Sequence, residues 1–269
     1  MTVRRVIMVG AVLALLAFVS AARASLIASD SFGYPAAAGG LAGQNGGPGW
    51  TSDWGTGTNN VVSPGLTYSK NGVSLVTSGN SSETVGGNIG NFRSLPSTFS
   101  SGTVYVSFLG KLDNANGTIG SSYAGVSLFN AGSENLFIGQ ATGLADWGVD
   151  QATGAKQSST PVDGTTHLFV IQIDYGAATD NSGEDRVRMY VDPTPGETAP
   201  DVSASIDANT TRSASFDQVR IQSGGPQIAF DELRISTDYA SAVPVPEPAQ
   251  AAFLGLAGLG LFSRRRRRT

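Results

Sequence analysis

Acidic residues are the side chains of this sequence that could do chemistry, and four of them form two adjacent pairs. Glu184 precedes Asp185, and Asp231 precedes Glu232. A retaining glycosidase needs two carboxyl groups about 5–5.5 Å apart, whereas adjacent side chains of a regular strand point to opposite faces. The spacing therefore disfavours a glycosidase, which stays only as a divergent alternative.

Calcium binding is the second chemistry that the acidic residues offer. Asp30 lies near the start of the central region and Asp231 near its end, so the two would approach each other if the terminal strands pair. Calcium prefers clustered oxygen ligands. We therefore expect no required cofactor, with Asp30 and Asp231 as candidate ligands of a structural calcium. The competing interpretation is that such acids are solvated turn residues.

The histidine, cysteine and tryptophan content limits which other functional sites the chain could carry. The chain has no cysteine, which excludes disulfides and thiolate chemistry, and its single histidine, His167, is expected to be a structural hydrogen-bonding residue. Sugar sites combine aromatic and polar groups, and Trp147, in a loop-like setting, is the best candidate for a glycan contact. The alternative places Trp147 in the core, where tryptophan is mostly found.

Strands must position these residues. Runs rich in β-branched and aromatic residues recur between turns rich in glycine, proline and asparagine, at 103–112, 123–129, 135–139, 165–175, 186–191, 215–222 and 227–236. The last run alternates apolar and polar residues with a slip at Asp231 and Glu232, which predicts a β-bulge. The pattern predicts an all-β, antiparallel sandwich or barrel.

Several features together resemble the concanavalin A-like, LamG-type jelly roll. They are the strand at 104–109 and a set of aromatic, glycine and acidic residues near both ends of the domain: Asp30, Phe32, Tyr34, Gly43, Gly47, Trp50, Trp54, Phe230, Asp231 and Ile235. The resemblance implies an antiparallel jelly-roll β-sandwich over residues 25–240. Such a fold carries lectins, glycosidases and adhesion modules, so it does not settle the activity.

The N-terminus has the order of a secretory signal. Arg4 and Arg5 precede an apolar stretch at 6–19, and small residues follow up to Ala22 and Ala24. This order predicts a cleavable signal peptide, a helix within residues 1–24, with the mature chain starting at Ser25.

The C-terminus, residues 241–269, is the second membrane-directed segment. An apolar stretch at 249–262 follows a short Pro-rich motif and precedes a cluster of arginines, which the positive-inside rule leaves in the cytoplasm. Fourteen helical residues cover about 21 Å, against a hydrocarbon core of about 30 Å. A short transmembrane helix is therefore predicted, and it is a poor permanent anchor. The motif is Val245, Pro246, Glu247 and Pro248, and the cluster is Arg264, Arg265, Arg266, Arg267 and Arg268.

The three ordered elements of this tail resemble the PEP-CTERM sorting signal of Gram-negative bacteria. The resemblance implies cleavage near Pro246, Glu247 and Pro248 by an exosortase, a membrane-embedded enzyme. Release or transfer to the cell surface would follow export through the inner membrane, often in bacteria that make exopolysaccharide. Exosortase is thus the expected processing partner, and exopolysaccharide the expected surface partner.

The predicted exported domain differs in net charge from the two terminal segments. The whole chain has 17 basic and 21 acidic residues. Eight arginines lie in the two terminal segments, so the mature domain carries nine basic against 21 acidic residues, a net charge of −12. This balance argues against nucleic acid as a partner. The sequence predicts a non-catalytic exported protein of the cell surface or biofilm matrix, with a lectin-like carbohydrate-binding module as the alternative.

Overall fold

The computed structural model describes residues 26–87, 90–114, 119–151, 155–178 and 184–246, and in these residues the chain forms two packed antiparallel sheets. The strands are β1 Leu26–Asp30, β2 Asn60–Val62, β3 Ser69–Lys70, β4 Val73–Ser74, β5 Ser81–Glu83, β6 Asn91–Phe99, β7 Thr103–Asn114, β8 Ala124–Asn130, β9 Ser133–Gln140, β10 Asp146–Asp150, β11 Lys156–Pro161, β12 His167–Asp174, β13 Arg186–Val191, β14 Ile206–Asn209, β15 Phe216–Ser223 and β16 Gln227–Ser236. One short helix, α1 Tyr239–Ala242, follows them.

The eight-stranded sheet is organised around β16. Its order is β14-β13-β12-β7-β16-β5-β2, and β1 also pairs with β16. β5 pairs with the first half of β16 and β1 with the second half, and the register along β7 shifts between Asp231 and Arg234. Glu232, at the shift, has a φ of 50°. The predicted bulge is therefore present, and it separates the part of β16 that pairs with β5 from the part that pairs with β1.

The six-stranded sheet has the order β11-β10-β9-β8-β15-β6, and β3 and β4 form a separate hairpin. Alternate residues of these strands point into the space between the two sheets, as the period-2 pattern requires. The main core fills that space, with residues such as Val126, Leu136, Val219, Phe230 and Phe169. Burial of this apolar surface stabilises the sandwich.

A second, smaller apolar cluster lies on the outer face of the eight-stranded sheet. Leu109, Leu168 and Val170 are covered there by α1 and the residues that follow it. We call residues 239–245 the C-terminal strap. Asp238 caps α1, since its side chain accepts a hydrogen bond from the Ser241 N–H at 2.8 Å. The strap returns the chain over the sheet face instead of leaving it at the end of β16.

The all-β, antiparallel jelly-roll sandwich predicted from the sequence is confirmed. The predicted strand at 227–236 coincides with β16, and that at 186–191 coincides with β13. Within the described ranges, no helix is long and apolar enough to cross a membrane. The predicted signal helix and the apolar tail segment at 249–262 lie outside these ranges.

Candidate functional site

Asp30 lies at the end of β1 and is almost fully buried. Its carboxylate forms an ion pair with the Arg93 guanidinium and accepts hydrogen bonds from Trp54 Nε1 at 2.8 Å and Tyr34 Oη at 2.6 Å. The Phe32 N–H donates to the other oxygen at 2.8 Å. Burial and this carboxylate raise the pKa of Tyr34. Asp30 thus connects β1, β6 and the segment at 31–59 between β1 and β2, which we call the glycine-rich loop.

Asp231 and Glu232 lie at the bulge of β16, and both are buried. Asp231 accepts hydrogen bonds from the N–H groups of Leu66 and Glu232, each at 2.7 Å. Glu232 accepts one from the Ser78 N–H at 2.6 Å and pairs with Arg234 at 2.7 Å. The bulge therefore turns both carboxylates towards the segment that contains β3 and β4, which corrects the expectation that they point to opposite faces.

These contacts bear on the predicted calcium site. β1 and β16 do pair, so Asp30 and Asp231 lie close together as expected. Arg93 and three further donors already contact Asp30, and they occupy the positions that a cation would take. In the parts of the chain that the structure describes, no three acidic or histidine side chains form a group that could hold a metal ion. Arg93 thus competes with the predicted calcium for Asp30, and thermal unfolding with and without calcium distinguishes the two.

Trp147 does not form the exposed platform that the sequence suggested. It lies on β10 between β9 and β11, and only 1% of its surface is exposed. Its ring packs against Phe169 and Phe230, with centroid distances of 4.5 and 6.4 Å. The glycine and acidic neighbours suggested a loop, but Gly148 instead pairs with Gly139 inside the sheet. Trp147 is a core residue.

Trp50 and Trp54, in the glycine-rich loop, both contact Arg93, a residue that the sequence did not single out. The Arg93 guanidinium lies 4.9 Å from the Trp50 ring centroid and 5.7 Å from that of Trp54. Arg93 Nε also donates to the Ser52 carbonyl at 3.1 Å. The sequence gives no clear signal for this arginine, because Arg93 shares the buried face of β6 with Asn91 and Leu95 while the apolar Phe92 lies on the other face.

His167 has the structural role that was expected at the head of β12. Its Nδ1 lies 2.7 Å from Asp192 Oδ2, while Asp192 Oδ1 accepts a hydrogen bond from the Leu168 N–H at 3.0 Å. The Asp192 carboxylate thus fixes the start of β12 through its contacts with His167 and Leu168. A shallow cavity of about 450 Å³ next to it is lined by Thr67, Tyr68, Ser69, Lys70, Thr165, Thr166 and Asp192.

The outer face of the six-stranded sheet carries a mixed aromatic and charged row. Phe92, Arg220, Ser127 and Phe137 are register partners across β6, β15, β8 and β9, and their sheet neighbours face the core. The Arg220 guanidinium lies 4.4 Å from the Phe129 ring centroid and 5.3 Å from that of Phe92. It also pairs with Glu134 at 2.5 Å. Burial lowers the pKa of Arg220. We call this set the aromatic face.

A row of glycines adjoins the aromatic face. Gly125, Gly139 and Gly148 are register partners on β8, β9 and β10, and Gln222 of β15 continues the row. A Cβ at Gly125 would lie 2.6 Å from the Phe137 ring, so the ring rests directly on this glycine. A Cβ at Gly139 or Gly148 would lie 2.3 Å from a carbonyl oxygen of the neighbouring strand, so the row consists of glycines in close contact with their surroundings.

The predicted sorting motif begins with the last two residues that the structure describes. Val245 is half-buried against Gly196, where an added Cβ would lie 2.5 Å from its Cγ1, whereas Pro246 is exposed. Glu247, Pro248 and the arginines at 264–268 lie outside the described residues. Within the motif, the structure therefore locates only Val245 and Pro246.

Comparisons with known proteins give only remote structural likenesses. No protein-family model and no curated protein matches the chain. Among solved structures, the cellulose induced protein Cip1 is 14% identical over 78% of this chain and 96% of its own, with a TM-score of 0.47. The carbohydrate recognition domain of Emp46p is 9% identical over 61% and 86%, with a TM-score of 0.36.

Larger proteins also contain similar domains. The receptor binding domain of botulinum neurotoxin mosaic serotype C/D is 10% identical over 81% of this chain, with a TM-score of 0.45. The chain spans 49% of that domain's length, and 16% of a sialidase chain that it also matches. These likenesses concern the jelly-roll sandwich alone.

Proposed function

We propose that this chain is a non-catalytic, exported surface protein that an exosortase processes at its C-terminus. The observation that carries the proposal is the position of the motif: Val245 is the last packed residue that the structure describes, and Pro246 is exposed. The other boundary fits as well, because Leu26 already pairs with Ser236 one residue after the predicted mature start. A processing enzyme would thus meet its motif directly beside a folded body.

The uses of the acidic residues support the non-catalytic part of the proposal. Asp185 accepts hydrogen bonds from the N–H groups of Gly176 and Ala214, at 2.8 and 2.7 Å. Asp231 and Glu232 hold the segment that contains β3 and β4. These carboxylates are buried and stabilise loops, and each accepts hydrogen bonds from backbone N–H groups that no substrate displaces without unfolding.

Substitution of the motif tests the sorting proposal. In the producing bacterium, the variant with Pro246→Ala, Glu247→Ala and Pro248→Ala should remain full-length and membrane-bound, while the wild-type chain is shortened. Pro200→Ala, a proline in a loop of the body, is the control and should be shortened normally. Normal shortening of the triple variant would disprove recognition of the motif.

Carbohydrate binding by the aromatic face is the second candidate function. Aromatic rings beside charged and amide groups are the usual composition of a sugar site, and Phe92, Tyr123, Arg220 and Gln218 provide them on one sheet face. Phe92 and Tyr123 are half-buried, so each leaves part of its ring accessible.

Arg220→Ala is the direct test of this second function. It removes the guanidinium that holds both phenylalanine rings, so affinity for the bound polysaccharide should fall about tenfold or more. Arg186→Ala, on the other sheet, removes an arginine that is also paired with a carboxylate, that of Asp207 at 2.5 Å, and should leave affinity unchanged. Equal affinities of the two variants, or no binding to any glycan by the wild type, would exclude this site.

A further inference from the structure

The C-terminal strap is bonded to the body along its whole length. The Ala242 carbonyl accepts a hydrogen bond from Ser107 Oγ at 2.6 Å, and the Val243 carbonyl accepts one from the Gly196 N–H at 2.8 Å. The Pro244 carbonyl accepts one from the Val76 N–H at 2.9 Å. Three consecutive carbonyls immediately before the motif are therefore engaged by the body.

Side-chain packing holds the same segment. Tyr239, Ala242 and Val243 are buried in the outer apolar cluster, and the Tyr239 ring meets the Tyr105 ring edge-on at 5.9 Å. Strap release would expose this cluster to water, at a cost that grows with the apolar area. The closed strap is thus the stable state of the described body.

An enzyme that cleaves a peptide needs access to the chain on both sides of the bond. Extended peptides are commonly held through their main-chain groups, and here the groups on the N-terminal side are occupied. Val245 and Ala249 are four residues apart, so they span at most about 14 Å even when fully extended. The closed body therefore leaves little room between itself and the apolar segment that starts at Ala249.

We propose that the strap is a latch: it must release from the sheet before the tail is processed, and its release limits the processing rate. This inference rests on the proposed exosortase function and adds its regulation. Body-side residues, far from the motif in sequence, then control cleavage. Ser107 and Gly196 are such residues, because each bonds the strap without belonging to the tail.

A disulfide across the strap is the sharpest test. A Cβ at Gly196 would lie 3.3 Å from Val245 Cβ, near the range of about 3.5–4.5 Å for disulfides, and the chain has no other cysteine. In producing cells, the oxidised variant with Gly196→Cys and Val245→Cys should stay full-length, and a thiol reductant should restore shortening. Gly196→Cys alone should be shortened with or without reductant, and the reduced double variant is compared with Val245→Cys alone, which carries the same change in the motif.

Ser107→Ala tests the latch without touching the tail. Loss of one buried hydrogen bond should raise the shortening rate in a pulse–chase experiment about fivefold. Ser82→Ala, a buried serine whose Oγ has no partner in the described residues, is the control and should leave the rate unchanged. Equal rates for both serine variants, or shortening of the disulfide-linked chain, would overturn the latch. A wild-type chain that is never shortened would overturn the processing function, and the latch with it.

Discussion

Arg93 and Asp30 form an ion pair in the interior of the sandwich, and the two residues come from opposite sheets. Arg93 points inward from β6 of the six-stranded sheet, and Asp30 ends β1 of the eight-stranded sheet. Their side chains are 1% and 2% exposed. Two tryptophan rings and a tyrosine hydroxyl complete the surroundings. The pair fixes the glycine-rich loop between the sheets.

Removal of one partner of this pair should destabilise the fold strongly. Arg93→Met leaves the Asp30 carboxylate buried and uncompensated, so the free energy of unfolding should fall by about 3–5 kcal/mol. Urea denaturation measures this loss. The double variant Arg93→Met with Asp30→Asn should recover part of it, because no isolated charge remains. A double variant whose loss equals the sum of the single losses would contradict direct coupling.

An ion pair on the surface serves as the comparison for the buried Arg93–Asp30 pair. Arg186 and Asp207 form a pair with two hydrogen bonds, but their side chains are 31% and 43% exposed. Solvent screens such pairs, so they add little to the stability of the fold. Arg186→Ala should therefore leave the urea midpoint nearly unchanged.

Asp231 should make the stability depend on pH. Burial, reinforced by Glu232, raises the pKa of Asp231 to about 8. A carboxyl whose pKa is raised in the folded state favours folding below its unfolded pKa of about 4. This contribution falls as pH rises from about 4 to 8, by up to about 1.4 kcal/mol per unit. The stability of the wild type relative to Asp231→Asn should decline over that window and level off above it.

Chelation of divalent cations should leave the melting temperature unchanged. Asp30 already has the Arg93 cation as its partner, so bound calcium is not needed to compensate its charge. Thermal unfolding with calcium and with EDTA compares the two states. A clear rise in melting temperature with calcium would contradict this expectation and support the predicted ligands Asp30 and Asp231.

Trp147→Ala should lower the stability of the fold and leave polysaccharide binding unchanged. The ring is buried against Phe169 and Phe230, so its removal should cost about 3–5 kcal/mol. Urea denaturation measures this cost. Binding of any polysaccharide by the folded variant should match the wild type. Selective loss of binding at full stability would contradict the core assignment.

Strand predictions succeeded where alternation was strong. The apolar residues of β16 recur every second position on both sides of the Asp231 bulge, so both the strand and its irregularity were visible in the sequence. β10 was missed because Asp146 and Gly148 are typical turn residues. There the neighbouring strands decide the structure, since Gly148 pairs with Gly139 on one side and Gln157 on the other.

Long-range polar contacts could not be predicted from the sequence. Arg93 is separated from Asp30 by 63 residues, and no local pattern shows that the two side chains meet. The aromatic face likewise depends on the order of β6, β15, β8 and β9, which follows from the topology and not from any one strand. The strap is short, and its burial arises from the sheet face that it covers.

The most direct test of the central claim is the mass of the mature protein recovered from the surface of the producing cells. Intact-mass and terminal-peptide spectrometry should show a chain that starts at Ser25 and ends within residues 246–248. The apolar segment at 249–262 should be missing. A surface protein that retains the arginines at 264–268 would contradict the account.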